Sequence, residues 1–423
     1  MNTLTLDARE DYPTLSVVAL AHGTSHFFHL ILPPLFPWLM VEFGLNFTQA
    51  GALMTTFFVV SGVGQALAGF AVDRFGASKV LFFGLAMLAG SAIFIACAMN
   101  YPMLMLGAGL AGLGNSIFHP ADYTILNRRV SAARLGHAFS AHALSGNAGW
   151  VLAPLIMTVM AGSFGWRAAA FSAALLALAT ILVLIQTRGL IEVPSPIQTS
   201  AQSLKHTQTN HEQVGASQPP NTNKTPSFLR VPAVWMCFTF FLLTSAAFGV
   251  LQNYVSPLLG HLYGMGPSLT AFCLTAYLIG STAGTAAGGL YAKPGREHDR
   301  TVMLSLGAAA LAASVLASQA PLTSMVLPLL AVMGFGVGFT GPSRDLMVRQ
   351  AATQRLGSAS LGRVYGFVYS GLDSGLAIGP LVFGPFMDAG AFSLVMMGVA
   401  VLQASAVFVT LQLARETPHL EHV

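Results

Sequence analysis

His22, His26 and His29 stand four and three residues apart, the spacing that puts side chains on one face of a helix. The run around them is otherwise apolar. A histidine so placed can titrate, hold an anion when charged, ligate a metal, or simply pack with a hydrogen bond. His119 and Asp122, then His142 and Asn147, fall in two further apolar runs, and Arg344 and Asp373 in two more near the C-terminus. Titratable groups at membrane depth are costly and usually face a cavity. If each run is a helix, Asp373 lies roughly 16 Å into its own at about 1.5 Å per residue, deeper than any other acid. It is either a group that takes up and releases a proton or a structural carboxyl bonded to a neighbouring helix. His22, His26, His119, His142, Asn147 and Asp373 are the candidate substrate and proton pathway. Gln252, Asn253 and Tyr254 form a polar trio late in another run, fitting an outer gate or helix-end capping equally well.

These residues need a membrane to hold them. Apolar residues make up 54% of the 423 and charged residues 8%, against about 25% charged in a soluble protein. Twelve runs can each cross about 30 Å of hydrocarbon: 15–40, 48–72, 78–99, 102–122, 136–161 and 166–187, then 232–256, 267–291, 301–318, 322–343, 362–387 and 391–413. The expected fold is all-α and integral to the membrane, with residues 1–188 and 231–423 each forming a six-helix bundle. Residues 189–230, rich in Ser, Thr, Gln, Asn and Pro, read as a flexible cytoplasmic linker. With both termini inside, every Lys and Arg of the 19 except Arg167 falls on the inner side, as the positive-inside rule asks. The start of the chain carries Asp7, Arg9, Glu10 and Asp11, unlike a signal peptide.

The halves repeat each other. Gly112, Gly114 and Pro120 match Gly334, Gly336 and Pro342, and Gly149 and Pro154 match Gly375 and Pro380. Six spans per half give both halves one orientation, a parallel repeat. By that register Asp122 is equivalent to Arg344. The two opposite charges are expected to meet at the cytoplasmic mouth as a gate pair, the alternative being two charges in interfacial water.

The loop between the second and third runs reads Gly69-Phe-Ala-Val-Asp73-Arg74-Phe-Gly76-Ala-Ser-Lys79. It resembles the signature of the major facilitator superfamily at the same place in twelve spans. Gly69 is expected to allow close helix contact and Gly76 a tight turn. Asp73, at the carboxyl end of its helix, needs a positive partner. The resemblance implies that this partner is the start of the eleventh helix, near Gly362 and Arg363, and that the pair holds the inner side closed. Within the superfamily, Ala21-His22, the stretch Gly112 to Pro120 and Gly146-Asn147-Ala148-Gly149 are similar to the fosmidomycin-resistance group. Two positions depart from that group's pattern: Ala121 precedes the acid Asp122, and His26 stands where the first helix carries an acid.

These features together point to secondary active transport, by proton antiport exporting a small organic or drug-like molecule, with proton symport of a metabolite as the alternative. No enzyme activity, cofactor, metal or nucleic-acid partner is expected. There is no phosphate-binding loop for ATP drive. Cys97, Cys237 and Cys273 lack metal spacing. His22-x-x-x-His26 is similar to the first histidine box of membrane di-iron enzymes, but the further boxes those enzymes need are missing. A non-transporting sensor would need a signalling domain that the sequence does not carry. A monomer in a bacterial inner membrane is the expected setting.

Overall fold

A computed structural model describes residues 8–131, 134–193, 231–291, 298–356 and 361–416. Most of the linker expected over 189–230, and the side chain of Arg363, lie outside the described residues.

The described residues form helices α1 (Ala8–Phe28), α2 (Phe36–Phe43), α3 (Phe47–Phe75), α4 (Ala77–Ala96), α5 (Tyr101–Asn115), α6 (Phe118–Arg129), α7 (Leu135–Phe164), α8 (Trp166–Gln186) and α9 (Arg188–Ile191). The second half supplies α10 (Pro232–Tyr263), α11 (Pro267–Tyr291), α12 (His298–Ala317), α13 (Thr323–Leu356), α14 (Leu361–Asp388) and α15 (Phe392–Glu416). Ten segments among the described residues are long and apolar enough to cross a membrane. The fourth and eighth positions of the expected twelve are filled by the α5–α6 pair and by α11.

Two spans are broken where the sequence suggested continuous helix. The first ends as α1 at Phe28 and resumes through a 3-10 turn at Pro33–Leu35 into α2. Pro33 and Pro34 have no N–H to continue the ladder. The fourth is interrupted between Asn115 and Phe118, where Pro120 leaves the Ser116 carbonyl without its helical donor.

The repeat is visible in packing. A Cβ on Gly112 would strike the backbone of Phe57 in α3, and one on Gly114 would lie 2.9 Å from Gly84 O in α4. Their counterparts Gly334 and Gly336 meet Tyr277 in α11 and Ser305 in α12, the equivalent helices. Gly149 meets Gly23 and Phe27 of α1, and Gly375 meets Leu242 and Ala246 of α10. Small residues let these backbones approach closely, which is how helices associate where lipid offers no hydrophobic driving force.

Hydrogen bonds gather the loops onto two faces. On one, Asp11 accepts from Ser131 and Arg134, Ser78 donates to Ile191 O at 2.6 Å, and Arg129 donates to Glu192 O and Gly189 O. Residues 189–193, the described part of the expected linker, are therefore packed against the first half. On the opposite face Arg167, the cation that breaks the charge bias, pairs with Glu42 at 2.6 Å and lies over Trp166.

Candidate functional site

The three histidines of α1 share one face, as expected, and the structure brings His119 of α6 and His142 of α7 to them. Ring centroids lie 3.4 Å apart for His22 and His142, 4.3 Å for His22 and His26, and 4.7 Å for His26 and His29. His119 stands edge-on to His22 at 5.3 Å. Gly146 makes room for the stack: a Cβ there would come within 2.8 Å of His26 Nδ1 and 2.9 Å of His22 Cε1.

Hydrogen bonds settle two tautomers. The indole N–H of Trp150 donates to His29 Nδ1 at 3.2 Å, so His29 Nε2 carries the proton and donates to Asn115 Oδ1 at 2.9 Å. Asn115 in turn donates to Ser61, and His29 is fully satisfied. His22 Nδ1 lies 2.8 Å from the His142 carbonyl, which can only accept. The proton is therefore on Nδ1, and Nε2 is a bare lone pair. Nε2 is buried without a partner, as are His26 Nδ1 and Asp122 Oδ1.

Asp122 departs from expectation. It is fully buried and bonds His142 Nε2 at 3.1 Å, because α6 runs on to Arg129 rather than ending at Asp122. The gate pair with Arg344 is not formed here. The Arg344 guanidinium lies over the Phe241 ring of its own half, 4.4 Å from the centroid.

Asp373 is half-buried on α14 and faces α3: a Cβ on Gly62 would lie 3.3 Å from its Cβ and 3.6 Å from Oδ2. No hydrogen-bond partner holds the carboxyl among the described residues, so it is not tied to a neighbouring helix. Asn147 is half-buried on α7, one residue beyond Gly146.

The loop motif is realised in part. Gly76 takes φ +93° between α3 and α4, a conformation side chains disfavour. Asp73, Arg74 and Lys79 are exposed, and Asp73 has no ion-pair partner among the described residues. Gly69 corrects the expectation of close contact, since nothing lies within 4 Å of a Cβ placed there.

Sequence reasoning missed a clamp at the opposite face. Asp388, ending α14, accepts from Phe47 N at 2.6 Å, Thr48 N at 3.1 Å and Thr48 Oγ1 at 2.5 Å at the start of α3. A carboxylate there meets the positive end of the α3 dipole. The Tyr254 hydroxyl of α10 lies 3.0 Å from Phe47 O and 2.9 Å from Pro380 O, its one proton shared between the two carbonyls, and the reach to Phe47 in the other half fits the gate reading for that residue. Asn253 only bonds back to Gly249 O. Gln252 and Asn253 line a cavity of about 590 Å³ with Trp38, Pro154, Val159 and Phe272, set between the halves near the same face.

Residues 18–380 match the Major Facilitator Superfamily. The chain is 30% identical over 182 residues to the fosmidomycin resistance protein of Escherichia coli (strain K12), covering 43% of this chain and 44% of that one. It is also 30% identical over 157 residues to the uncharacterized MFS-type transporter YfnC of Bacillus subtilis (strain 168), covering 36% and 38%. The matched stretch is thus less than half of either relative. In fold it is similar to a bacterial homolog of the human lysosomal transporter Spinster, with a TM-score of 0.68, 12% identity and coverage of 97% and 96%. The chain belongs to the major facilitator superfamily and is a multi-pass membrane transporter.

Proposed function

We propose that this transporter is a proton-coupled antiporter that exports a small organic molecule from a bacterial cytoplasm by alternating access. The observation that carries the reading is Asp373. A carboxyl with no hydrogen-bonded or cationic partner among the described residues, set where α14 crosses α3, is free to exchange a proton as the halves move. Export follows the likeness to the fosmidomycin resistance protein.

Sidedness follows charge. The face holding Arg74, Lys79, Arg129 and Arg134 is the cytoplasmic one by the positive-inside rule, and both termini are assigned to that side. The Asp388–Tyr254 clamp then closes the outer side. Asp73, without an ion-pair partner among the described residues, fits that state, because its latch would form only when the inner side closes. Gly69 would find its helix neighbour in that same alternate state. Meeting of Asp122 with Arg344 would likewise belong to the alternate state and would require Asp122 to leave His142.

The test is purified protein in liposomes enclosing a pH dye, challenged with a panel of amphiphiles and phosphonates. Substrate-dependent proton movement opposite to substrate flux supports the reading. Co-movement of proton and substrate would replace antiport by symport, and flux without proton movement would remove coupling.

A further inference from the structure

We propose that His22, His26 and His119 bind one divalent transition-metal ion of the zinc class, with His142 and Asp122 supporting His22 from behind. Ligating atoms of the three imidazoles all lie within 4.8 Å of one another. Some point therefore lies within about 2.8 Å of all three, and side-chain shifts of less than about 1 Å reach the 2.0–2.1 Å of a Zn–N bond.

A second observation is independent of spacing. His22 Nε2 is a lone pair by the hydrogen bond at its other nitrogen, and it is buried with nothing to accept from. A ligating histidine almost always donates its second N–H to a carbonyl or carboxylate, which fixes the tautomer. The bond from His22 Nδ1 to the His142 carbonyl does this. Buried polar atoms without partners are rare, yet His22 Nε2, His26 Nδ1 and Asp122 Oδ1 are all of this kind. Asp122, His22 and His142 themselves bring ligating atoms within 4.8 Å of one another, so the carboxylate is near enough to balance a cation's charge. His29 is excluded, because both its nitrogens are engaged.

The donor set selects the metal. Imidazoles suit zinc, copper, iron and nickel, whereas magnesium and calcium want oxygen. Cys97 lies at the far end of α4, and Cys237 and Cys273 lie in the other half, so no thiolate joins the three imidazoles. His26 and His119 are only partly buried, leaving a side from which an ion can enter and a water or substrate oxygen can complete the shell.

The experiment uses full-length protein in nanodiscs, stripped with chelator, reloaded with limiting zinc chloride and dialysed. Metal is counted by mass spectrometry. One ion per chain is expected, together with visible absorption bands of nitrogen-ligated cobalt when Co²⁺ replaces Zn²⁺. The variant combining His22→Ala, His26→Ala and His119→Ala should lose the ion, His261→Ala on the surface should keep it, and Asp122→Asn, which removes the nearby carboxylate charge, should weaken it about 10–100-fold. Should the triple variant not fold, His119→Gln decides by the same count. No stoichiometric ion in the wild type, or an ion kept by the variants lacking these imidazoles, overturns the proposal.

Discussion

Glycine does different work at different depths of this bundle, and the difference is measurable. A Cβ on Gly149 would sit 2.9 Å from Phe27 N and press on the Gly23 carbonyl, both rigid backbone. Gly149→Ala should therefore cost about 1–3 kcal/mol by overpacking and lower the melting temperature of the purified protein. Gly90, with nothing within 4 Å of its Cβ, is the control, and Gly90→Ala should leave melting unchanged or slightly raised. Equal effects at both positions would refute the close-contact account. The same scale shows what sequence could reveal of the site. The face shared by His22, His26 and His29 is dictated by helical spacing alone. The arrival of His119, His142 and Asp122 on that face depends on how α6 and α7 pack against α1, which no local pattern encodes. The spacing along α1 allowed metal ligation among other roles, but it gave no sign that His119 would join His22 and His26.

At the scale of elements, hydropathy found the spans but was blind to their breaks. An apolar run looks the same whether or not Pro33–Pro34 or Pro120 interrupts its hydrogen bonds. The clamp at Asp388 was missed for a different reason, since its partners lie in the other half of the chain. A signal existed nonetheless: an acid at a helix carboxyl end is unfavourable without a donor, the same argument that singled out Asp73. The single hydroxyl proton of Tyr254 is shared between Phe47 O across the halves and Pro380 O in its own half, an interaction worth about 1 kcal/mol. Losing it in Tyr254→Phe should shift the open-to-closed ratio at that face by up to about fivefold. Spin labels at the exposed Val41 and Leu322 should then report a larger long-distance population. An unchanged distance distribution would mean that Tyr254 does not hold this face shut.

At the scale of the whole molecule, the amino-acid pattern carried the twelve-span frame, the repeat and the charge bias, because these are summed over many residues. Orientation can be read from native cysteines. Cys97 is exposed near the clamped face, while Cys237 and Cys273 are buried. A membrane-impermeant maleimide should label Cys97 in intact cells; labelling confined to inverted vesicles would reverse the assigned sidedness. The proposed function links the conformational state and the proton through Asp373, an acid set mid-helix where α14 faces Gly62 of α3. The most direct measurement compares wild type and Asp373→Asn in liposomes, following both substrate exchange at equal pH and transport driven by a pH gradient. Coupling at Asp373 predicts that exchange survives while gradient-driven transport is lost. Gradient-driven transport at the wild-type rate in Asp373→Asn would contradict it.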